Sequence, residues 1–178
     1  MTFRPRPNLK VGMAVLPLLA LPLATAASAQ QNAGIAYLQD AQGKSVGKIT
    51  LVGTPNGLSG TIDVKGLPPG EHGMHIHAVG KCSGTAFADA GAHLNPGGKQ
   101  HGLDNPMGSH MGDLPVLKVG ADGKAKQYVL IKAGFKDLLD TDGAAFVIHA
   151  STDDQKTDPS GNSGARIACG VFDIGAAN

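Results

Sequence analysis

Seven side chains of the sequence have the types and the spacing that suit a site for two metal ions. Six are histidines and one is an aspartate, arranged as an H-x-H pair, an H-x7-H-x8-H-x2-D run and a lone final histidine: His75, His77, His93, His101, His110, Asp113 and His149. Histidine is the commonest metal ligand among side chains. Of the seven histidines in the chain, only His72 lies outside this set. The pattern therefore predicts metal-dependent chemistry rather than scattered structural histidines.

The H-x-H pair and the lone histidine predict a metal site built on two strands. His75 and His77 are two positions apart in a strand-like run, so both imidazoles face one side while Ile76 faces the other. His149 ends the apolar run 144–148, which predicts a second strand that brings a third imidazole alongside. A nitrogen-rich ligand set of this kind suits copper.

The remaining ligands lie in a long loop and predict a site of a different kind. Three imidazoles and one carboxylate suit tetrahedral zinc with no open position, and they come from His93, His101, His110 and Asp113. A flexible loop that binds metal ions loosely is the alternative interpretation. Loops of this length in a compact domain are usually functional or disordered, and the density of ligands favours function.

Short strands and turns must position these ligands. Glycine is abundant at 26 residues, tryptophan is absent, and runs rich in β-branched or apolar residues predict eight strands, over 34–40, 47–53, 58–67, 73–79, 115–120, 125–133, 144–150 and 166–174. Turn signals such as Pro55-Asn56-Gly57 and Asp142-Gly143 separate many of them. The stretches 81–114 and 151–165 are too polar and glycine-rich for strands. An all-β domain with two long functional loops is expected.

The first 29 residues predict a secretory signal peptide and not a part of the fold. A basic start precedes an apolar run over 11–23, and Ala27-Ser28-Ala29 is a cleavage signal that places the mature domain at 30–178. A membrane anchor is the alternative, but the run contains two prolines and is shorter than the ~20 residues that a span needs. Without its first 29 residues the chain carries 12 Lys and Arg against 14 Asp and Glu, a net charge of −2. No basic stripe remains that would indicate nucleic acid as a partner.

Both cysteines, Cys82 and Cys169, lie in the mature part of the chain. Exported proteins enter an oxidising compartment, so a disulfide is expected, with two free buried thiols as the alternative. A bridge between them would close a loop of roughly 90 residues, worth roughly 4–5 kcal/mol in the chain-entropy model.

The sequence resembles the copper/zinc superoxide dismutases over most of the mature chain, from about Gly34 to Ile174. The resemblance rests on four segments: Gly73-Met74-His75-Ile76-His77, the stretch Ala90 to Pro96, His110-Met111-Gly112-Asp113-Leu114, and the stretch Gly164 to Val171. It implies an eight-stranded Greek-key antiparallel β-barrel or sandwich. It also implies an enzyme that dismutates superoxide to dioxygen and hydrogen peroxide with a redox-cycling copper and a structural zinc.

The resemblance also implies a role for each site residue. Copper would be bound by His75, His77 and His149, and His93 would bridge copper and zinc. The zinc site would be completed by His101, His110 and Asp113. Arg166 would stand beside the copper and attract the superoxide anion. Asp153 would accept hydrogen bonds from one ligand of each metal, and Cys82 and Cys169 would form the disulfide of the family.

Departures from the common pattern point to the bacterial exported branch of the family. The interval from Cys82 to His93 is longer than in cytosolic members, the loop 151–165 is shorter, and Met74 stands where phenylalanine is frequent. A periplasmic monomer or homodimer without stable membrane association is expected, with Lys99 as a candidate for further steering charge. A copper-delivery protein on the same fold would need the ligands but not Arg166, and a sandwich used for adhesion would need neither.

Overall fold

Nine strands and two short helical turns make up the part of the chain that the computed structural model describes, residues 1–2 and 33–175. The strands are β1 (Ala33–Gln39), β2 (Ser45–Thr54), β3 (Gly57–Lys65), β4 (Gly70–His72), β5 (Met74–His77), β6 (Leu117–Val119), β7 (Lys124–Ile131), β8 (Ala145–His149) and β9 (Arg166–Gly175). A 3₁₀ segment spans Thr85–Ala90 and one α-helical turn, α1, spans Phe135–Leu138. Apart from residues 1–2, the predicted signal peptide lies outside the described residues, and so does its cleavage point.

Antiparallel pairing organises the strands into one large curled sheet and one small one. The seven-stranded sheet has the order β5-β8-β9-β1-β2-β3-β7, and β4 pairs with β6. The small sheet connects the two edges of the large one. At one edge, β4 leads into β5 through Gly73. At the other edge, Gln127 of β7 donates a 2.9 Å hydrogen bond to the Val116 carbonyl beside β6. The all-β antiparallel class is confirmed.

The eight predicted strands correspond to β1–β3 and β5–β9, and their bounds differ where local chemistry intervenes. The predicted strand 73–79 is only Met74–His77, and the strand predicted over 115–120 is Leu117–Val119. Proline lacks the N–H that a ladder needs, so Pro115 precedes the latter strand. Strand β4 and both helical turns were not predicted, because each is too short to show a period. Among the described residues no helix is long and apolar enough to cross a membrane.

The core lies inside the curled sheet. Strand β3 alternates between buried and more accessible positions, and its buried Ile62 belongs to one cluster with Ile49 and Leu51 of β2 and Phe146 of β8. Strands β5 and β8 differ, since every residue of both is buried. One face of this pair packs on the core, and the other face, which carries the histidines of β5, is covered by the two long loops.

The first long loop, residues 81–114, is joined to β5 by backbone hydrogen bonds. The Ile76 N–H donates to the Gly112 carbonyl at 2.9 Å, and the Leu94 N–H donates to the Ile76 carbonyl at 2.8 Å. A Cβ on Gly112 would lie 2.2 Å from the Ile76 carbonyl oxygen, so only glycine permits this approach. The loop therefore runs alongside the edge of the H-x-H strand that does not pair with β8.

The same loop is anchored to β9 by the predicted disulfide, which is present. Cys82 and Cys169 are bonded, with their Cα atoms 5.8 Å apart. The bridge packs in a second small apolar cluster with Phe87 of the 3₁₀ segment and Val147 of β8. It therefore joins the ligand-bearing loop to a central strand of the sheet.

Replacing Cys82 with serine should lower the free energy of unfolding by about 2–5 kcal/mol, because the bridge spans 87 positions and restricts the unfolded chain. Denaturant unfolding of the metal-free protein without reductant would measure this, with reduced wild-type protein as the control. Active protein found by mass spectrometry to carry two free thiols would contradict the role assigned to the bridge.

Candidate metal centre

Four histidines from three parts of the chain converge above the β5–β8 pair. Strand β5 supplies His75 and His77, the end of β8 supplies His149, and the first long loop supplies His93. One ring nitrogen from each lies within 4.8 Å of the others, and all four residues are buried. The structure thus brings together the set that the sequence predicted for copper.

Each of these four rings has one nitrogen with no hydrogen-bond partner among the described residues. These are Nδ1 of His75 and Nε2 of His77, His93 and His149, and all four are buried. The opposite nitrogens are fixed: the His77 Nδ1–H donates to the Gly91 carbonyl at 2.9 Å, and the His149 Nδ1–H donates to the Gly164 carbonyl at 3.1 Å. Since these rings donate on the outer side, their lone pairs face the centre. A buried polar atom without a partner costs about 1–3 kcal/mol, so four that converge fit a metal cation.

A second cluster forms around one carboxylate oxygen of Asp113. Its Oδ1 lies 3.0 Å from Nδ1 of His93, 3.0 Å from Nδ1 of His101 and 3.2 Å from Nδ1 of His110. Its Oδ2 accepts the backbone N–H groups of Gly102 and His110, at 2.8 and 2.9 Å. All four residues predicted for zinc therefore meet, with Asp113 held in place from behind.

His93 belongs to both clusters through its two ring nitrogens. Nδ1 faces Asp113, while the unpartnered Nε2 faces His77 and His149. Its ring also stacks on His75, with ring centroids 3.9 Å apart. One imidazole thus lies between the two groups of ligands and can contact a metal ion on each side.

Asp153 links the clusters from the outside. Its Oδ2 lies 2.6 Å from Nε2 of His75, and its Oδ1 lies 3.0 Å from Nε2 of His101. Each of these rings then has its Nδ1 directed inward, towards the ligand clusters. A carboxylate in this position orients ligating histidines and increases their basicity.

Burial keeps the imidazoles of the first cluster neutral. It lowers the pKa of His75 to about 3, of His77 to about 2 and of His149 to about 4, with the neighbouring His93 adding to each shift. Neutral imidazole is the form that binds metal ions. These ligands are therefore available at neutral pH without loss of a proton.

The second cluster has the opposite electrostatics. Burial alone would lower the pKa of His101, but hydrogen bonds to Asp113 and Asp153 outweigh burial and raise it to about 9. Burial opposes the charge on both carboxylates, yet the bonds from His101 and a second histidine hold their pKa values well below the usual range. In the metal-free protein, a proton on His101 therefore supplies positive charge that zinc would provide on binding.

Arg166 stands at the entrance to the first cluster. Its guanidinium donates to the Phe87 carbonyl and to the Gly91 carbonyl, both at 2.6 Å. It borders a cavity of about 320 Å³ together with His77, Ala92, His93, His149, Pro159, Ser160 and Gly164. Arg166 is the one Lys or Arg among these lining residues, and Lys99 is exposed but does not line the cavity.

His72 lies outside the ligand set in the structure, as it does in the sequence pattern. Its two ring nitrogens are each 2.8 Å from a backbone carbonyl oxygen, one of His149 and one of Pro68. No nitrogen is left to face a metal ion.

Some contacts of the site had no signal in the sequence. Arg166 is held by backbone carbonyls, which every residue has, so the side chains at those positions do not reveal the contact. Asp158 accepts the His101 N–H at 2.6 Å across 57 positions of the chain. Such contacts depend on how the two long loops pack, which no local pattern reports.

Comparisons with known proteins agree with this geometry. A family model described as copper/zinc superoxide dismutase matches residues 45–172. A copper-zinc superoxide dismutase of Aquifex aeolicus is 42% identical over 86% of this chain and 94% of its own length. That of Escherichia coli K12 is 41% identical over 88% of this chain and 96% of its own length.

A solved structure from Bacillus subtilis is also similar. It is a superoxide dismutase-like protein, in a variant with one proline replaced by histidine. It superposes with a TM-score of 0.73 at 44% identity, covering 77% of this chain and 95% of that one.

The pKa shifts predict an acid-sensitive metal-free protein. Between pH 6.5 and about 4.5, His75, His77 and His149 stay neutral in the folded state and become protonated in the unfolded chain. Since the unfolded chain binds more protons, the free energy of unfolding should decrease as the pH is lowered, by up to about 1.4 kcal/mol per pH unit for each imidazole. His101 stays protonated in the folded state over this range, so it opposes this slope near pH 6.5 and adds none at pH 4.5, where the unfolded chain is protonated as well.

Denaturant unfolding of chelator-treated protein at pH 6.5, 5.5 and 4.5 would measure this slope. His149→Ala should reduce the slope of the free energy of unfolding against pH by the contribution of one imidazole. A free energy of unfolding that does not change over this range would contradict the buried neutral state of the three rings.

Proposed function

Because the chain belongs to the copper/zinc superoxide dismutase family, we propose that its mature domain dismutates superoxide to dioxygen and hydrogen peroxide at a copper bridged to a structural zinc. The observation that carries this proposal is the set of four buried, unpartnered imidazole nitrogens beside an intact Asp113 cluster, with His93 facing both. A relative named only superoxide dismutase-like exists, so we rest the activity on the complete set of ligands in this chain and not on family membership alone.

The ligands divide between the metals according to which nitrogens converge. Copper would be held by His75 through Nδ1 and by His77, His149 and His93 through Nε2. Zinc would be held by Nδ1 of His93, His101 and His110 and by Asp113, since these nitrogens surround one carboxylate oxygen. Four nitrogens suit copper, and three nitrogens with one oxygen suit closed tetrahedral zinc.

When bound, copper would supply two one-electron steps, and zinc would supply a fixed positive charge next to His93. Nε2 of His93 would serve in turn as a copper ligand and as the atom that holds and releases a proton, because Nδ1 of the same ring faces Asp113 and the zinc ligands. His93 lines the cavity that Arg166 borders, so a proton held by this ring could pass to bound substrate. Each cycle consumes two superoxide anions and two protons and yields one dioxygen and one hydrogen peroxide.

Arg166 would bind and orient the anion. Its guanidinium is fixed by two backbone carbonyls, and one of these, the Gly91 carbonyl, also accepts the ring N–H of His77. A copper-delivery protein would not need a cation fixed at this entrance. Attraction of superoxide by a local positive field is a mechanism for which this enzyme family is itself a standard example.

The domain boundaries and location follow as parts of the same proposal. Residues 1–29 would be removed on export, which leaves 30–178 as the superoxide dismutase domain. The bonded Cys82 and Cys169 suit an oxidising compartment, and the bacterial periplasm is such a compartment. A monomer or homodimer remains the expectation for the assembly.

We expect the mature protein to bind about one copper and one zinc per chain and to consume superoxide. Elemental analysis and a superoxide-consumption assay on the same sample would measure both. His93→Ala should lower activity strongly and make the loss of one metal independent of the other, since it removes the shared ligand. Holoprotein that carries only one metal per chain after loading with both would refute the two-metal assignment.

Arg166→Ala should keep both metals and lower kcat/KM on the order of tenfold, because the local field and the docking group are lost together. Arg166→Lys should retain more activity than Arg166→Ala, and Arg166→Glu less. The wild-type rate should fall as ionic strength rises, since salt screens attraction over about 10 Å at 0.1 M. An Arg166→Glu variant with full metal content and an unchanged rate at low salt would exclude Arg166 from the mechanism.

A further inference from the structure

We propose that Asp158 is a positioning residue for the zinc half of the centre, acting on His101 and His110 from the second long loop. The inference rests on the proposed function, because it concerns two of the ligands assigned there to zinc. It adds a second carboxylate behind the zinc ligands, beside Asp153.

One oxygen of Asp158 reaches both histidines. Oδ1 accepts the backbone N–H of His101 at 2.6 Å, a short hydrogen bond to a charged acceptor. The same oxygen lies 3.8 Å from Nε2 of His110. The first contact fixes the backbone that carries one ligand, and the second places negative charge beside the ring of another.

The orientation of His110 gives the second contact its meaning. Nδ1 of this ring faces the cluster, 3.2 Å from Oδ1 of Asp113 and 3.4 Å from Nδ1 of His93. When Nδ1 binds zinc, the ring proton must be on Nε2, the nitrogen beside Asp158. A carboxylate near that N–H favours this tautomer and makes Nδ1 a better donor to the metal. Within the described ranges, Asp158 is the one carboxylate within 4.0 Å of Nε2 of His110.

The contacts of Asp158 separate it from a residue that only shapes its own loop. Its side chain makes no hydrogen bond within the described part of that loop, and its one hydrogen bond crosses to His101. The loop is held by other groups: Asp154 accepts the N–H groups of Lys156 and Thr157, and the Gln155 amide donates to the Leu114 carbonyl. Loss of the charge at Asp158 should therefore act on the zinc ligands first.

The chain offers a matched control in Asp154. Asp154→Asn removes the same charge from the same loop, and the carboxylate of Asp154 contacts Lys156, Thr157 and Asn162 but no proposed ligand. Asp158→Asn changes one atom of a side chain that is about half exposed, at 51%, so the variant should fold.

The experiment compares zinc binding by metal-free wild-type, D158N and D154N proteins in competition with a chromophoric chelator. D158N should bind zinc about 10–100-fold more weakly, the range seen when such supporting partners are removed, while D154N should match wild type. Cobalt(II) bound in place of zinc should show an altered visible spectrum in D158N only. Spectral change reports ligand geometry, which a general loss of stability would not alter in the bound state.

Three results would overturn the inference. Zinc affinity and cobalt spectrum unchanged both in D158N and in D158A, which also removes the acceptor oxygen that asparagine keeps, would show that Asp158 does not position the ligands. Equal weakening in D154N and D158N would show that the charge or the structure of the whole loop sets the zinc affinity, and not the contacts of Asp158 with the ligands. Wild-type protein that binds no zinc would overturn the proposed function itself, and the role of Asp158 would fall with it.

Discussion

The burial of unpartnered imidazole nitrogens is the constraint on which the rest of the structure depends. Four such nitrogens lie together above the β5–β8 pair, although each would gain by turning to water or to a donor. The fold must therefore hold them there by other means. Two strands buried on both faces supply the rigid base, and hydrogen bonds on the far side of His77 and His149 fix the direction of each ring.

The two long loops complete the centre because they are tied down at several points. The first is bonded to β5 through Gly112 and Leu94 and to β9 through the disulfide. The second delivers Asp153, whose two oxygens contact a ligand in each cluster. These ties also serve the substrate side, since Arg166 is held by carbonyls of the same disulfide-anchored loop. The proposed metal ligands and the proposed anion-binding group therefore share one rigid support.

The sequence predicted most of this centre because its strongest features are local. An H-x-H pair on a strand places two imidazoles on one face whatever the rest of the chain does, and the apolar run before His149 marks a buried strand. The short β4, the helical turn at 135–138 and the exact ends of β5 could not be predicted, because so few residues show no period. Asp158 and His101 are 57 positions apart in the chain, and their contact depends on how the two long loops pack together. The spacing of residues in the sequence does not encode this packing.

The proposed sharing of the His93 imidazole by two metal ions is tested most directly by the magnetism of a loaded protein. With copper(II) in the first cluster and cobalt(II) in the second, an imidazolate bound to both ions couples their unpaired electrons. Electron paramagnetic resonance should then show the copper(II) signal lost when cobalt is present, and restored when zinc takes its place or when His93 is replaced by alanine. An undiminished copper(II) signal in wild-type protein that holds one copper and one cobalt per chain would contradict the bridge.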